Sequence, residues 1–89
     1  MIKIVKAEYV DPTRLHLTFF DGAHGDYDFA PFMAQATALT LPLQDPEVFK
    51  DHFLELGALC WKNGLEFSPS ALYNALQTTE KLAFTQRAA

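Results

Sequence analysis

The sequence predicts an α+β domain: a small antiparallel sheet of hairpins with a short middle helix and a proline-capped C-terminal helix. Three observations carry this. Within residues 14–20 (RLHLTFF), Leu15, Leu17 and Phe19 alternate with Arg14, His16 and Thr18, the period of a half-buried strand. Asp21-Gly22 and Asn63-Gly64 each separate two short strand-like runs, as hairpin turns do. Asp45-Pro46-Glu47 and Ser68-Pro69 each place a capping side chain before a proline, the signature of a helix start.

The elements follow in order. Residues 2–10 (IKIVKAEYV) are β-branched and partly alternating, and stop at Asp11-Pro12-Thr13, where proline suits a turn. In the next hairpin the register is decided by the apolar pattern. A two-residue loop would set Leu17 against Asp26 and Phe19 against His24, placing polar groups on the apolar face. A three-residue loop, Phe20-Asp21-Gly22, pairs Leu15 with Tyr27 and Leu17 with Gly25 on one face. It pairs His16 with Asp26 and Arg14 with Asp28 on the other, and asks Gly22 to be left-handed. The third strand then covers residues 23–29.

Ala30-Pro31 opens a short helical turn, and Thr40 to Pro42 reads as loop. The helix after Asp45 presents Val48, Phe49 and His52 on one side. Residues 49–57 fit both periods, and a strand at 53–56 is favoured. A strand at 58–61 turns through Lys62-Asn63-Gly64 into Leu65-Glu66-Phe67, with Glu66 facing solvent. The final helix, about 69–77, buries Leu72, Ala75 and Leu76. One domain therefore spans residues 1–77, with 78–89 a helix extension or a C-terminal tail carrying Leu82 and Phe84.

A chain of 89 residues needs a dense core, and 49% of its residues are hydrophobic, including eight Phe. Cys60 is the only cysteine, so an intrachain disulfide is excluded. The net charge of −4, with seven basic residues scattered among eleven acidic ones, disfavours direct nucleic-acid binding. The start of the chain lacks a signal-peptide pattern, and no apolar run reaches a membrane span of about 18 residues. The expected location is cytoplasmic.

The closing segment Trp61-Lys62-Asn63-Gly64-Leu65-Glu66-Phe67-Ser68-Pro69-Ser70-Ala71-Leu72-Tyr73 resembles the end of a small bacterial and phage family, domain of unknown function 2442. Phe19, Asp21, Gly22, Asp28, Phe29 and Pro31 fit the earlier part of the same pattern, and the likeness covers about residues 2–76. The fold-motif residues are Asp21, Gly22, Asp28, Trp61, Asn63, Gly64, Glu66, Pro69, Leu72 and Tyr73. Lys62 replaces a frequent proline and Glu66 a frequent aspartate, and neither change breaks the turn or the charge. The resemblance implies a compact α+β fold, sometimes fused to a helix-turn-helix domain or encoded beside another small protein in toxin–antitoxin-like pairs. It brings no catalytic residues.

Each candidate for chemistry has an ordinary reading beside it. His16, His24, Asp26 and Asp28 share a strand face and suit a metal or small molecule. Against this, Asp26 faces His16 and Asp28 faces Arg14, an ordinary charge-paired solvated face. Cys60 with His52 would make a thiol and base, but a cysteine beside Trp61 in an apolar strand reads as core. Phe49, Trp61, Phe67 and Tyr73 read as core before ligand box. The sequence thus predicts a non-enzymatic interaction module without cofactor, binding another small protein or itself as a homodimer. The alternatives are a metal- or small-molecule-binding domain and a DNA-associated regulator acting with a basic partner.

Overall fold

Strands β1 (Ile4–Asp11), β2 (Arg14–Phe19) and β3 (Ala23–Asp28) form an antiparallel meander in the computed structural model, which describes residues 1–84. Asp11 closes the first turn by accepting hydrogen bonds from the N–H groups of Thr13 (3.0 Å) and Arg14 (2.9 Å). The β2–β3 pairing is the register the apolar pattern selects: Leu15 opposite Tyr27, Leu17 opposite Gly25, His16 opposite Asp26. Gly22 has φ +86°. The β1–β2 pairing slips between Ile4 and Lys6 and again between Tyr9 and Asp11, leaving Val5 and Val10 as extra residues. Two such bulges explain why β1 alternates only in part, and why both valines are exposed.

The two Asx-Gly hairpins are built alike. In each, the glycine N–H donates to the carbonyl three residues back, Phe19 (3.0 Å) or Trp61 (3.1 Å). In each, the Asx side chain accepts from the N–H just beyond the glycine: Asp21 from Ala23 (3.0 Å), Asn63 from Leu65 (3.2 Å). Gly64 has φ +98°, a conformation that glycine adopts without steric cost.

Between the hairpins lie α1 (Ala30–Gln35), a 3₁₀ turn (Leu41–Gln44) and α2 (Pro46–Lys50). The expected loop over Thr40–Pro42 thus runs into a 3₁₀ turn, which Pro42 tolerates in its first positions. Asp45 caps α2 by accepting from the Glu47 N–H at 3.0 Å. Strand β4 (Phe53–Glu55) then pairs with β5 (Ala58–Cys60), and β5 with β6 (Glu66–Phe67). These three make a second sheet, separate from the four-stranded one, where the sequence suggested a single sheet.

Helix α3 (Pro69–Thr78) starts on the Ser68 side chain, which accepts from the Ala71 N–H. It does not extend beyond Thr78. Glu80 is left-handed (φ +59°), Lys81 N–H reaches back to the Leu76 carbonyl (2.9 Å) and Glu80 N–H to that of Gln77 (3.2 Å). Those two bonds satisfy the last carbonyls and reverse the chain. Residues 83–84 form β7, which pairs antiparallel with β3, Ala23 opposite Phe84 and His24 opposite Ala83. The expected helix extension or tail is therefore a returning edge strand over its described part. Residues 85–89 of that segment lie outside the described residues.

The core joins the sheets. Phe29, fully buried, meets Phe49, Trp61 and Phe67 edge-on at centroid separations of 5.7, 5.8 and 5.2 Å. Leu15, Leu17 and Phe19 supply the first sheet's side, Leu59 the second's, and Leu72 and Leu76 the helix's.

Candidate functional site

Most motif residues hold the fold. Tyr73 packs edge-on against Phe19 (5.0 Å) and donates its hydroxyl to Asp21 at 2.7 Å, latching α3 to the tip of the β2–β3 hairpin. Asn63, besides its turn bond, donates to the Leu39 carbonyl at 3.0 Å and ties the second hairpin to the middle segment. Trp61 stacks on Phe49 and donates its indole N–H to the Phe49 carbonyl at 3.1 Å. Asp28 accepts from the Ala30 N–H at 2.9 Å and starts α1. Glu66 is exposed opposite Cys60.

The thiol–imidazole reading of Cys60 and His52 finds no support in the geometry. Cys60 is buried, and desolvation followed by the charges of Glu66 and Glu55 pushes its thiol pKa up, away from the reactive thiolate. His52 sets Nε2 at 3.1 Å from the Ala7 carbonyl oxygen and Nδ1 at 3.3 Å from that of Phe49. It thereby fastens β1 to α2. Ile4 N–H donates to the Gly57 carbonyl at 2.9 Å, so the β4–β5 hairpin loop also bonds to the outer edge of β1.

The polar face of the first sheet has a definite geometry. His16 Nδ1 lies 2.6 Å from Asp26 Oδ1, and His16 Nε2 lies 3.2 Å from His24 Nδ1. These three side chains form one hydrogen-bonded chain. The expected Arg14–Asp28 pair does not form. Arg14 turns instead to Asp11, at 2.6 Å from one guanidinium nitrogen and 2.7 Å from another. That fork holds the Asp11 carboxyl below its ordinary range, with the Thr13 N–H helping. Asp28 is thus committed elsewhere, and among the described residues no three His, Cys, Asp or Glu side chains converge as ligands of one ion.

Two other surface features stand out. A cleft of about 390 Å³ lies between the 3₁₀ turn, α2 and the second Asx-Gly hairpin, with Pro42, Val48 and Trp61 among its walls and a Lys62–Asp51 ion pair (3.0 Å) at its rim. The other is the tip of the β4–β5 hairpin. Its two-residue loop, Leu56-Gly57, has φ +52° and +86°, and Leu56 is 93% exposed. A loop with both central residues left-handed favours Asn-Gly or Asp-Gly, and a leucine there is out of place. The dipeptide Leu-Gly between Glu55 and Ala58 was the available sequence signal, and alternation alone passes over it.

Two antiparallel sheets fastened by an aromatic core and a capped helix define a small α+β domain. No helix among the described residues is long and apolar enough to cross a membrane. A family model described as protein of unknown function (DUF2442) matches residues 4–78, and the chain belongs to that family. No curated protein and no solved structure matches it.

Proposed function

We propose that this chain is a non-enzymatic interaction module that docks another small protein, as one half of a regulatory or toxin–antitoxin-like pair. The observation that carries the docking is Leu56. A left-handed conformation at a residue with a branched side chain is unfavourable by about 1 kcal/mol, and full exposure of leucine returns none of it through burial. Strain of this kind, held at an exposed tip, points to a contact made with another molecule. Val5 and Phe53, 58% and 39% exposed on β1 and β4, add apolar surface on the adjoining strands. The pairing with a second gene product rests on family membership.

The test compares the chain with its Leu56→Asn variant. Asparagine accepts the left-handed conformation, so the variant should fold and be about 1 kcal/mol more stable. Both are used as baits in the native host, with captured proteins identified by mass spectrometry, and both are sized by light scattering. A protein held by the parent and lost from the variant supports the proposal, as does a dimer that becomes a monomer. Identical captured sets and identical masses would overturn it.

A further inference from the structure

We infer that His16 and His24 form a two-histidine site for a divalent transition-metal ion, with Asp26 as the positioning carboxylate. The site is separate from the hairpin tip at Leu56, so either assignment can fail without the other.

The argument starts from the strand pattern. His16, Asp26 and His24 project from the face opposite Leu15, Leu17 and Ala23, because successive side chains alternate across a strand. His24 sits opposite Thr18, diagonal to His16. That diagonal brings His16 Nε2 and His24 Nδ1 to 3.2 Å. Two imidazole nitrogens bound tetrahedrally to one zinc ion at about 2.0–2.1 Å stand about 3.3 Å apart. The pair already has nearly that spacing, and small rotations about the side-chain torsions would turn both lone pairs toward a shared point outside the sheet.

Asp26 sets the chemistry of the pair. With its carboxylate 2.6 Å from His16 Nδ1, that nitrogen is the donor, and His16 Nε2 is the atom turned toward a ligand. A carboxylate behind a histidine whose other nitrogen is free is the arrangement that orients metal-bound imidazoles and raises their basicity. In the metal-free chain a single hydrogen bond between His24 Nδ1 and His16 Nε2 fills the position. On metal binding the proton of that bond moves to His24 Nε2 or to solvent, and both nitrogens present lone pairs to the ion. Of the neighbouring charges, Glu8, opposite His16 on β1, pairs with Lys6 at 3.5 Å and Arg14 is held by Asp11, while Lys81 shares a surface cleft with Asp26 and Arg14. With two protein ligands, water completes the coordination, and imidazole favours copper, nickel and zinc over magnesium or calcium.

The experiment is calorimetric titration of the metal-free full chain with zinc, nickel and magnesium chlorides, and the same for His16→Ala, His24→Ala and Asp26→Asn. Circular dichroism of each variant confirms folding, since all three positions are on the solvated face. The expected result is one zinc or nickel ion per chain and no magnesium. Either alanine variant should abolish binding, and Asp26→Asn should weaken it about 10–100-fold. Nitrogen NMR of the imidazoles should show both His16 Nε2 and His24 Nδ1 without a proton at saturating zinc. Absence of zinc and nickel binding, or binding that survives either alanine substitution, would overturn the assignment. A proton still held on His16 Nε2 or His24 Nδ1 at saturating zinc would overturn it as well.

Discussion

Single side chains decide how the pieces of this molecule are held, and the Asp21–Tyr73 latch shows it. Burial works against the charged form of Asp21, but the hydrogen bonds from the Tyr73 hydroxyl and the Ala23 N–H outweigh it and hold the carboxyl below its ordinary value of 3.8. The same bond, with burial adding to it, pushes the Tyr73 phenol up. A carboxyl lowered in the folded state contributes stability that is fully present above its unfolded value and is lost as pH falls through the folded one. Tyr73→Phe keeps the ring on Phe19 and deletes the bond. Its denaturation midpoint should therefore lie slightly below the parent's at neutral pH, and the two should converge as pH falls through the lowered Asp21 value. A gap that stays constant from neutral to acid pH would show that the latch carries no charge-dependent stability. The sequence placed Asp21 and Tyr73 in one motif, but no rule of spacing joins positions fifty-two residues apart, so their bond was not legible. The Arg14 fork was missed for a related reason. Cross-strand register predicts Asp28, but Asp11, three residues away across a tight turn, takes both guanidinium nitrogens on its Oδ2 while its Oδ1 accepts from the turn's N–H groups.

Elements were legible wherever a local signal fixed them. The alternation from Arg14 to Phe19 together with the Asp-Gly turn determined the β2–β3 register residue by residue, and the Asp-Pro and Ser-Pro caps located α2 and α3. The end of α3 was not legible, because the left-handed position that stops it holds Glu80 rather than the usual glycine. The β7 strand depends wholly on that reversal, and two residues of strand carry no periodicity to detect. Gly25 is its counterpart on the sheet: a Cβ there would come within 2.5 Å of the Lys81 carbonyl oxygen, so the returning chain passes where only glycine leaves room. Glu80→Gly should relieve the left-handed strain, offset in part by the added freedom of the unfolded chain. The expected gain is about 0.5–1 kcal/mol, read as a higher urea midpoint. A midpoint that falls would mean the Glu80 side chain contributes something beyond its backbone conformation.

At the scale of the molecule, the two sheets are separate hydrogen-bonded units sharing one apolar interior. The sequence suggested a single sheet because every hairpin was read by its own turn, and turn chemistry does not say which hairpins will pair with each other. Beside the Ile4–Gly57 hydrogen bond, what joins them is packing: Phe29 and Trp61 bridge the sheets, and α3 closes the interior with Leu72 and Leu76. Leu72, 1% exposed, lies in the same cluster as Trp61. Leu72→Ala should destabilise the whole molecule by about 2–5 kcal/mol through lost burial and a residual cavity. An unchanged midpoint would show that the helix is not part of the shared interior. The surface was less legible than the interior, since a strand pattern tells which way His16 and His24 face, but not that their nitrogens meet.

Trp61 is the sole tryptophan of the chain, 2% exposed, stacked on Phe49 and bonded through its indole N–H at the seam between the sheets. The molecule therefore carries its one indole fluorophore, selectively excited at the red edge away from its three tyrosines, at the place where its two halves are joined. Its emission colour follows the wetting of that seam. A loosening confined to the far end of the first sheet leaves the signal untouched, while separation of the sheets moves it at once.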